Sequence, residues 1–352
     1  MAPPDGAPHG LTDAEMLRSG TETARVMPKV GVVTVNYNGG PFIAAFAGSI
    51  SKLTYPSYRL VVVDNASSDG SAEEIARLLP EAVLLRNPEN LGITGGNNRG
   101  IAYCLEEDFD YVLFINNDTE VEPDLLERLL EVADHRTMVA PRVYLWGQPG
   151  LLDDTAGSFD RWRGVWRPWP YGKPPLPDEG VHPVEMASLC CLLVPAGLLR
   201  EVGLMDDAFF MYYDDFDFMA RALGRGCRLL LNPRAVIYHR KAASSGLASP
   251  FKVYYATRNR TYFLRRHLSR PRFALFLAYF LAGRSLYALA YLMRGRMELL
   301  KAMALGLRDY FQGRMGRTFL PSPPGPAPSG LSPPGRSLSE AEGPSAPPGG
   351  SP

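Results

Sequence analysis

Polar residues able to do chemistry gather in this chain just past short apolar runs. Tyr111 to Ile115 is a continuous apolar run rich in aromatic and β-branched residues, and Asn116, Asn117, Asp118 and Thr119 follow it with no spacer. Such a run suits a strand covered on both faces, and in open α/β sheets ligands bind at the strands' carboxyl ends. A carboxylate fixed there can hold a hard divalent cation, which prefers oxygen ligands and screens a diphosphate. Two earlier runs end in the same way. Val30 to Val35 leads to Asn36, Tyr37, Asn38, Gly39 and Gly40, and Leu60 to Val63 leads to Asp64, Asn65 and a Ser/Asp/Gly turn. An acceptor such as Asp64 at a strand end can read the N3–H of a pyrimidine base, and an Asx turn explains it equally well. Further on, Asp214, Asp215 and Asp217 open a segment of helical spacing, an ordinary arrangement for a helix start. His239 closes a short apolar run, and a lone His there is more often an ordinary residue than a ligand.

The elements that must position these groups follow from periodicity. Strands are expected at Val30 to Val35, Leu60 to Val63, Val83 to Leu85, Tyr111 to Ile115, Met138 to Tyr144, Leu189 to Val194, Cys227 to Leu231 and Ala235 to Tyr238. Helical patterns lie between them: Pro41 to Leu53, a helix capped by Ser71 and ended before Pro80, Asn97 to Leu105 after a Gly/Asn-rich loop (Asn87 to Gly96), Pro123 to Ala133, Ala196 to Val202, and Phe216 to Leu223. Strand, turn and helix repeated at this interval indicate an α/β fold with a mostly parallel sheet flanked by helices. No GxGxxG follows the first strand, which argues against a nicotinamide-binding enzyme.

Lys and Arg together number 37, as do Asp and Glu, so no chain-wide field attracts nucleic acid. The balance hides an asymmetry, because from Lys252 to Arg317 the only acids are Glu298 and Asp309 among many arginines. Within that stretch Phe273 to Met293 is apolar and about long enough to cross a bilayer. Arg284 interrupts it and shares a helical face with Tyr287 and Tyr291, and arginines flank both ends, so the pattern fits lying in an anionic membrane interface better than spanning it. All four tryptophans fall between Trp146 and Trp169 among Gly, Pro and Arg. Trp162, Trp166 and Trp169 suit stacking on sugar rings or packing a lid equally well. The four cysteines form no CxxC pair and read as buried thiols of a reducing compartment. The division expected is a flexible arm (1–28), a catalytic-type α/β domain (29–250), a basic helical region (251–320) and a disordered Pro/Gly/Ser tail (321–352).

Five blocks in order, Val35 to Gly39, Val61 to Gly70, Asn90 to Gly100, Phe114 to Thr119 and Phe209 to Arg221, resemble family 2 glycosyltransferases, and within them the bacterial rhamnosyltransferase-like branch with a GT-A, Rossmann-like fold. The resemblance covers Pro28 to Ser245. It implies a nucleotide-diphosphate sugar donor, dTDP-rhamnose or a UDP-sugar, held by Asn36, Asp64, Asn97, Asn98 and Asn117. It further implies Mg2+ or Mn2+ on Asp118 and His239, with Asn116 standing where the family's metal motif has its first Asp. By the same resemblance Asp215 is the base that takes the acceptor's proton, with Asp214 beside it in place of a Glu; Asp214 and, from their residue type alone, the three tryptophans are the acceptor-side candidates. A glycan or lipid-linked acceptor at the inner face of the cell membrane completes the expectation. A catalytically silent scaffold of the same fold is the rival, and Asn116 and Asp214 are the departures that favour it. A helix dipole and neighbouring acids push the Asp215 carboxyl in opposite directions, and the sequence leaves that balance open.

Overall fold

The computed structural model describes residues 27–148, 150–168, 180–240 and 249–319. Nearly all of the expected N-terminal arm, Trp169, most of the basic segment after His239 and the tail lie outside the described residues.

Val30–Asn36 (β1), Tyr58–Asp64 (β2), Val83–Arg86 (β3) and Tyr111–Ile115 (β4) pair in parallel in the order β3-β2-β1-β4. Successive side chains go to opposite faces: Val33, Val61, Val112 and Phe114 join one buried apolar cluster, Val32, Val62, Leu113 and Ile115 another. Two covered faces are why these strands read as unbroken apolar runs. Gly40–Ile50 (α1) and Ser71–Leu78 (α2) supply Ile43, Phe46 and Ile75 to the second cluster, while Gly92–Glu106 (α3) supplies Ile101 and Cys104 to the first. The crossover helices therefore lie on both faces of the sheet.

After β4 the chain adds Thr119–Val121 (β5), Leu125–Leu130 (α4) and Thr137–Leu145 (β6). A small second sheet follows, from Ala156–Asp160 (β7) and Val165–Pro168 (β8); after His182–Pro183 (β9), Met186–Ala187 (β10) completes it in the order β10-β7-β8. Cys191–Pro195 (β11), Ala196–Val202 (α5), Asp214–Gly224 (α6) and Arg228–His239 (β12) then return to the main sheet, which continues β4-β11-β6-β12-β5, with β9 on β12. Here the sheet stops being purely parallel: β11 runs antiparallel to β4 and β6, and β5 antiparallel to β12. Three helices close the described chain: Pro250–His267 (α7), Arg270–Met293 (α8) and Met297–Phe311 (α9). Although the sequence places a boundary at residue 250, Phe263 and Leu264 of α7 belong to the same buried cluster as the sheet. By contrast α8 buries only Phe276 and Phe280, and it is long and apolar enough to cross a membrane by length and composition.

Three local expectations are corrected. The stretch expected as a loop up to Gly96 is helical from Gly92, because its glycines serve close packing: a Cβ on Gly96 would meet Val35 Cγ1 at 2.7 Å, and one on Gly100 would meet Val33 Cγ1 at 2.3 Å. The two strands expected around Asn232 are one strand, β12, with a register shift between Asn232 and Val236; Pro233, which has no N–H to give the ladder, made it read as two. Ser71 does not cap α2. Gly70, at φ 82°, precedes the helix, and the Ser71 hydroxyl donates to Asp69 Oδ1 at 2.5 Å.

Because Val33 is a stiff β-branched side chain in the middle of a covered strand, Gly100→Ala is expected to lower the unfolding free energy by about 1–3 kcal/mol. Gly48→Ala, on the open face of α1 with nothing near its Cβ, is expected to raise it by about 0.5–1 kcal/mol. Urea unfolding of the two variants checks both, and equal effects would contradict the packing role.

Candidate active site

Parallel pairing in register brings Asn36 opposite Asp64 at the ends of β1 and β2. The Asn36 Nδ2 group faces three acceptors, Asp64 Oδ1 at 2.8 Å, Ser67 Oγ at 3.0 Å and Ser71 Oγ at 2.9 Å, while its Oδ1 accepts from Asn117 Nδ2 at 2.9 Å. Asn36 thus braces the loop after β2 to the loop after β4. Asp64 is buried and also accepts from the Ser67 backbone N–H at 3.1 Å, so the turn expected from its sequence context is formed as well.

A cavity of about 280 Å3 opens beside these strand ends, lined among others by Asn97, Asn116, Tyr212, Asp214 and Asp215. Asn98 is turned elsewhere. Its Nδ2 donates to the Met205 carbonyl at 2.9 Å and to Asp207 Oδ1 at 2.8 Å, and its Oδ1 accepts from Met205 N at 3.0 Å, so this amide ties α3 to the segment before α6.

Asp118 and His239 meet because β5 pairs with the last residues of β12, with His239 opposite Thr119. The His239 Nε2 atom lies 3.3 Å from Asp118 Oδ1, close enough for an ion pair but without hydrogen-bond geometry, so that buried oxygen has no donor. On the other side of the ring Nδ1 is 2.6 Å from Asp153 Oδ2, a carboxylate brought back under the end of β12 by the return of the chain from β6. Burial alone would lower His239, but Asp118 and Asp153 outweigh it and push the imidazole up to about 9. Asp153 also fixes the tautomer, aiming Nε2 at Asp118. These residues fit a divalent ion on the observation of the orphaned Asp118 oxygen facing a ring nitrogen. Among the described residues no group of three or more His, Cys, Asp or Glu is arranged to hold a metal by itself, which suits an ion that shares its remaining positions with substrate oxygens.

Asp214 and Asp215 start α6 after an unusual turn: Phe210, Tyr212 and Tyr213 have φ of 64°, 66° and 70°. Left-handed backbone at such large residues costs of order 1–3 kcal/mol each and persists only when the surroundings enforce it. Two neighbours on α7 do so. Asn259 Nδ2 donates to the carbonyls of Phe209, Met211 and Tyr212 at 2.9, 2.8 and 3.0 Å, and the fully buried Arg258 donates to those of Ala208, Phe209 and Gly316 at 3.2, 3.1 and 2.8 Å. Burial, and for Asp215 also the charge of Asp214, raises both carboxyls above the ordinary carboxylate range; the helix N-terminus does not win. Asp217 faces away into an ion-paired cluster with Arg221 and His267, at 2.8 and 2.9 Å, and is structural.

Of the tryptophans, Trp166 packs edge-on to Phe216 of α6, its centroid 6.0 Å away, and its buried Nε1 has no partner. Trp162 leans on Tyr279 of α8. Neither lines the 280 Å3 cavity, and Trp169 lies outside the described residues. Asp153, Arg258 and Asn259 went unnoticed in the sequence. A signal did exist for Arg258, one helical turn after the buried Tyr254 on an apolar face, where a charged side chain needs a reason.

Comparison with known proteins places this geometry. Residues 31–182 match the family model described as glycosyl transferase family 2. The N-acetylglucosaminyl-diphospho-decaprenol L-rhamnosyltransferase of Mycobacterium tuberculosis is 30% identical over 242 residues, 61% of this chain and 77% of that protein. Low-salt glycan biosynthesis hexosyltransferase Agl10 of Haloferax volcanii is 26% identical over 248 residues, 67% and 75% of the two chains. Among solved structures, GalNAc-T7 with UDP, GalNAc and Mn2+ superposes with a TM-score of 0.51 at 16% identity over 61% of this chain and 44% of that one. Residues 1–349 of S. aureus TarS with UDP-GlcNAc give 0.50 at 15% identity over 81% and 92%. The fold is thereby GT-A.

The clamp on the strained turn generates one prediction. Asn259→Ala removes the donor shared by three carbonyls of the strained turn and is expected to lower the unfolding free energy by about 2 kcal/mol, read by urea unfolding. A second concerns Asp215, whose raised carboxyl resists ionisation in the folded state, so that its contribution opposes folding increasingly as pH rises from the ordinary carboxylate value through the raised one. Asp215→Asn is therefore expected to melt at a higher temperature than the parent at pH 8 and to lose that advantage near pH 4. A melting difference independent of pH would exclude this origin.

Proposed function

This chain belongs to glycosyltransferase family 2, and on that premise we propose that it is a metal-dependent, inverting transferase that moves a sugar from a nucleotide-diphosphate donor to a hydroxyl of a glycan or lipid-linked acceptor in cell-envelope polysaccharide synthesis. The observation that carries this reading is a cavity lined together by the strand-end amide Asn116, two residues along the chain from the orphaned Asp118 oxygen, by Asn97 of α3 and by the Asp214–Asp215 pair. Asp64, braced by Asn36, presents its carboxylate at the strand end for the base of dTDP-rhamnose or a UDP-sugar, and Asn97 lines the pocket beside it. Asp118 and His239 would hold Mg2+ or Mn2+, with Asp153 orienting the imidazole behind. Bound there, the ion would supply Lewis-acid neutralisation of the charge growing on the departing diphosphate.

Asp215 does the proton work. Burial keeps its carboxyl nearer to neutrality than a surface aspartate, which suits a general base that accepts the acceptor's hydroxyl proton while the oxygen attacks the anomeric carbon from the face opposite the leaving diphosphate. Inversion and an oxocarbenium-like transition state follow from that geometry. Asp214, fully buried beside it, holds the local charge that raises Asp215, and Asn259 and Arg258 hold both in place through the backbone. The exposed apolar face of α8 and the surrounding arginines would seat the protein peripherally on an anionic inner leaflet.

Calorimetric titration of UDP, dTDP and GDP, each with and without Mn2+, tests the donor site. Binding of one pyrimidine nucleotide that depends on Mn2+ is expected, and no binding by folded protein would leave the silent-scaffold reading. Asp153→Asn is expected to weaken Mn2+-dependent binding about 10–100-fold, the usual cost of losing a group that orients a ligating histidine. Asp215→Asn is expected to retain nucleotide binding while transfer falls by at least about a hundredfold, and the parent's rate should rise with pH along a limb lying above the ordinary carboxylate value. Surviving transfer in this variant would remove Asp215 from the role.

A further inference from the structure

A second cavity, of about 440 Å3, opens where the β7–β8 turn meets α7 and α8, and its charged lining is all arginine: Arg163 and Arg167 from the small sheet, Arg260 from α7 and Arg284 from α8, with Tyr279 and Tyr287 beside them. We propose that this cavity binds the diphosphate of a lipid-linked acceptor, whose sugar then reaches Asp215 and whose lipid follows α8. The proposal rests on the transferase reading above and names the acceptor class for it.

Charge is the first argument. Asp160 answers the small sheet's arginines, at 3.2 Å from Arg167 and 3.8 Å from Arg163. No carboxylate among the described residues pairs with Arg260 or Arg284. Arg260 Nε donates to the Arg163 carbonyl at 2.8 Å, which fixes the guanidinium without neutralising it. Both unpaired guanidiniums sit over the Phe280 ring, 5.2 and 4.6 Å from its centroid, so two like charges share one apolar support. Burial and the charge of Arg260 together lower Arg284, which shows that the folded chain bears an electrostatic cost here. An anion with two adjacent phosphates relieves that cost, and planar guanidiniums bind phosphate oxygens in pairs.

Position is the second argument. Tyr213, the residue before α6, donates its hydroxyl to the Gly164 carbonyl at 3.1 Å, next to Arg163. Tyr213 therefore ties the β7–β8 turn that carries Arg163 to the start of α6, two residues from Asp215. Around and after Tyr287, α8 exposes Leu286, Leu289, Leu292 and Met293, with Leu286 71% and Met293 73% accessible. A ligand that fits all three features has a sugar at one end, a diphosphate in the middle and an apolar tail at the other. A phospholipid headgroup with a single phosphate matches only the apolar face and part of the charge.

The test is co-sedimentation of the full chain with phosphatidylcholine vesicles carrying farnesyl diphosphate, against vesicles carrying phosphatidylglycerol at matched surface charge. The parent is expected to bind the diphosphate vesicles at least about tenfold more tightly, the worth of one charge-assisted hydrogen bond. Arg284→Gln and, on a different helix, Arg260→Gln should each abolish that preference while leaving Mn2+-dependent nucleotide binding unchanged. Equal binding of the parent to both vesicles, or a preference that survives in both variants, overturns the proposal and leaves general adhesion to anionic membranes. Nucleotide binding by the parent, measured alongside, separates the two failures: its absence sinks the transferase reading, while its presence with no diphosphate preference sinks the cavity alone.

Discussion

Everything at the site depends on the parallel register of β1, β2 and β4. Parallel strands start on one edge of a sheet and finish on the other, so three separate apolar runs deliver Asn36, Asp64 and the Asn116–Asp118 stretch to a single line. The register holds because each strand is buried on both faces: slipping one strand by a residue would exchange the two apolar clusters and carry the strand-end polar groups into mismatched positions. The Asn36 amide, shared between Asp64 and Asn117, links the ends once they are aligned.

The carboxylate pair is held by a different means. A turn with three large residues in left-handed backbone does not form by propensity, and the carbonyls it leaves pointing inward need donors. Arg258 and Asn259 supply them from α7, which explains how a guanidinium can be wholly buried without a carboxylate in contact: its bonds are to carbonyls and to Thr318 Oγ1, and its faces lie near the rings of Tyr254 and Tyr255. The C-terminal helical region is thus part of the site's support. Removing α7 would release the turn that aims Asp214 and Asp215.

Electrostatics is distributed unevenly for a chain whose formal charge is zero. Around His239 two carboxylates, Asp118 and Asp153, face one imidazole, so the candidate metal position is negative overall. The arginine cavity, lined by Arg163, Arg167, Arg260 and Arg284, is positive. A donor diphosphate carried by a cation and an acceptor diphosphate carried by guanidiniums would be kept apart by this arrangement, each drawn to the end that compensates it.

The sequence by itself determined the α/β class, the four parallel strands β1–β4, the family, and which polar residues end those strands, because each follows from local order: apolar period, turn chemistry and adjacency along the chain. It also marked α8 as an apolar helix with basic flanks. The three-dimensional fold decided what depends on residues far apart in the chain. Asp153 meets His239 from 86 positions away, and Asn259 meets Tyr212 from 47, so neither pairing has a local signature. Gly96 read as part of a loop because only the packed partner on β1, Val35, shows why a side chain is excluded there. The opposition of helix dipole and burial at Asp215 was resolved toward a raised carboxyl for the same reason, since desolvation is a property of the surrounding atoms and not of the residue's neighbours in sequence.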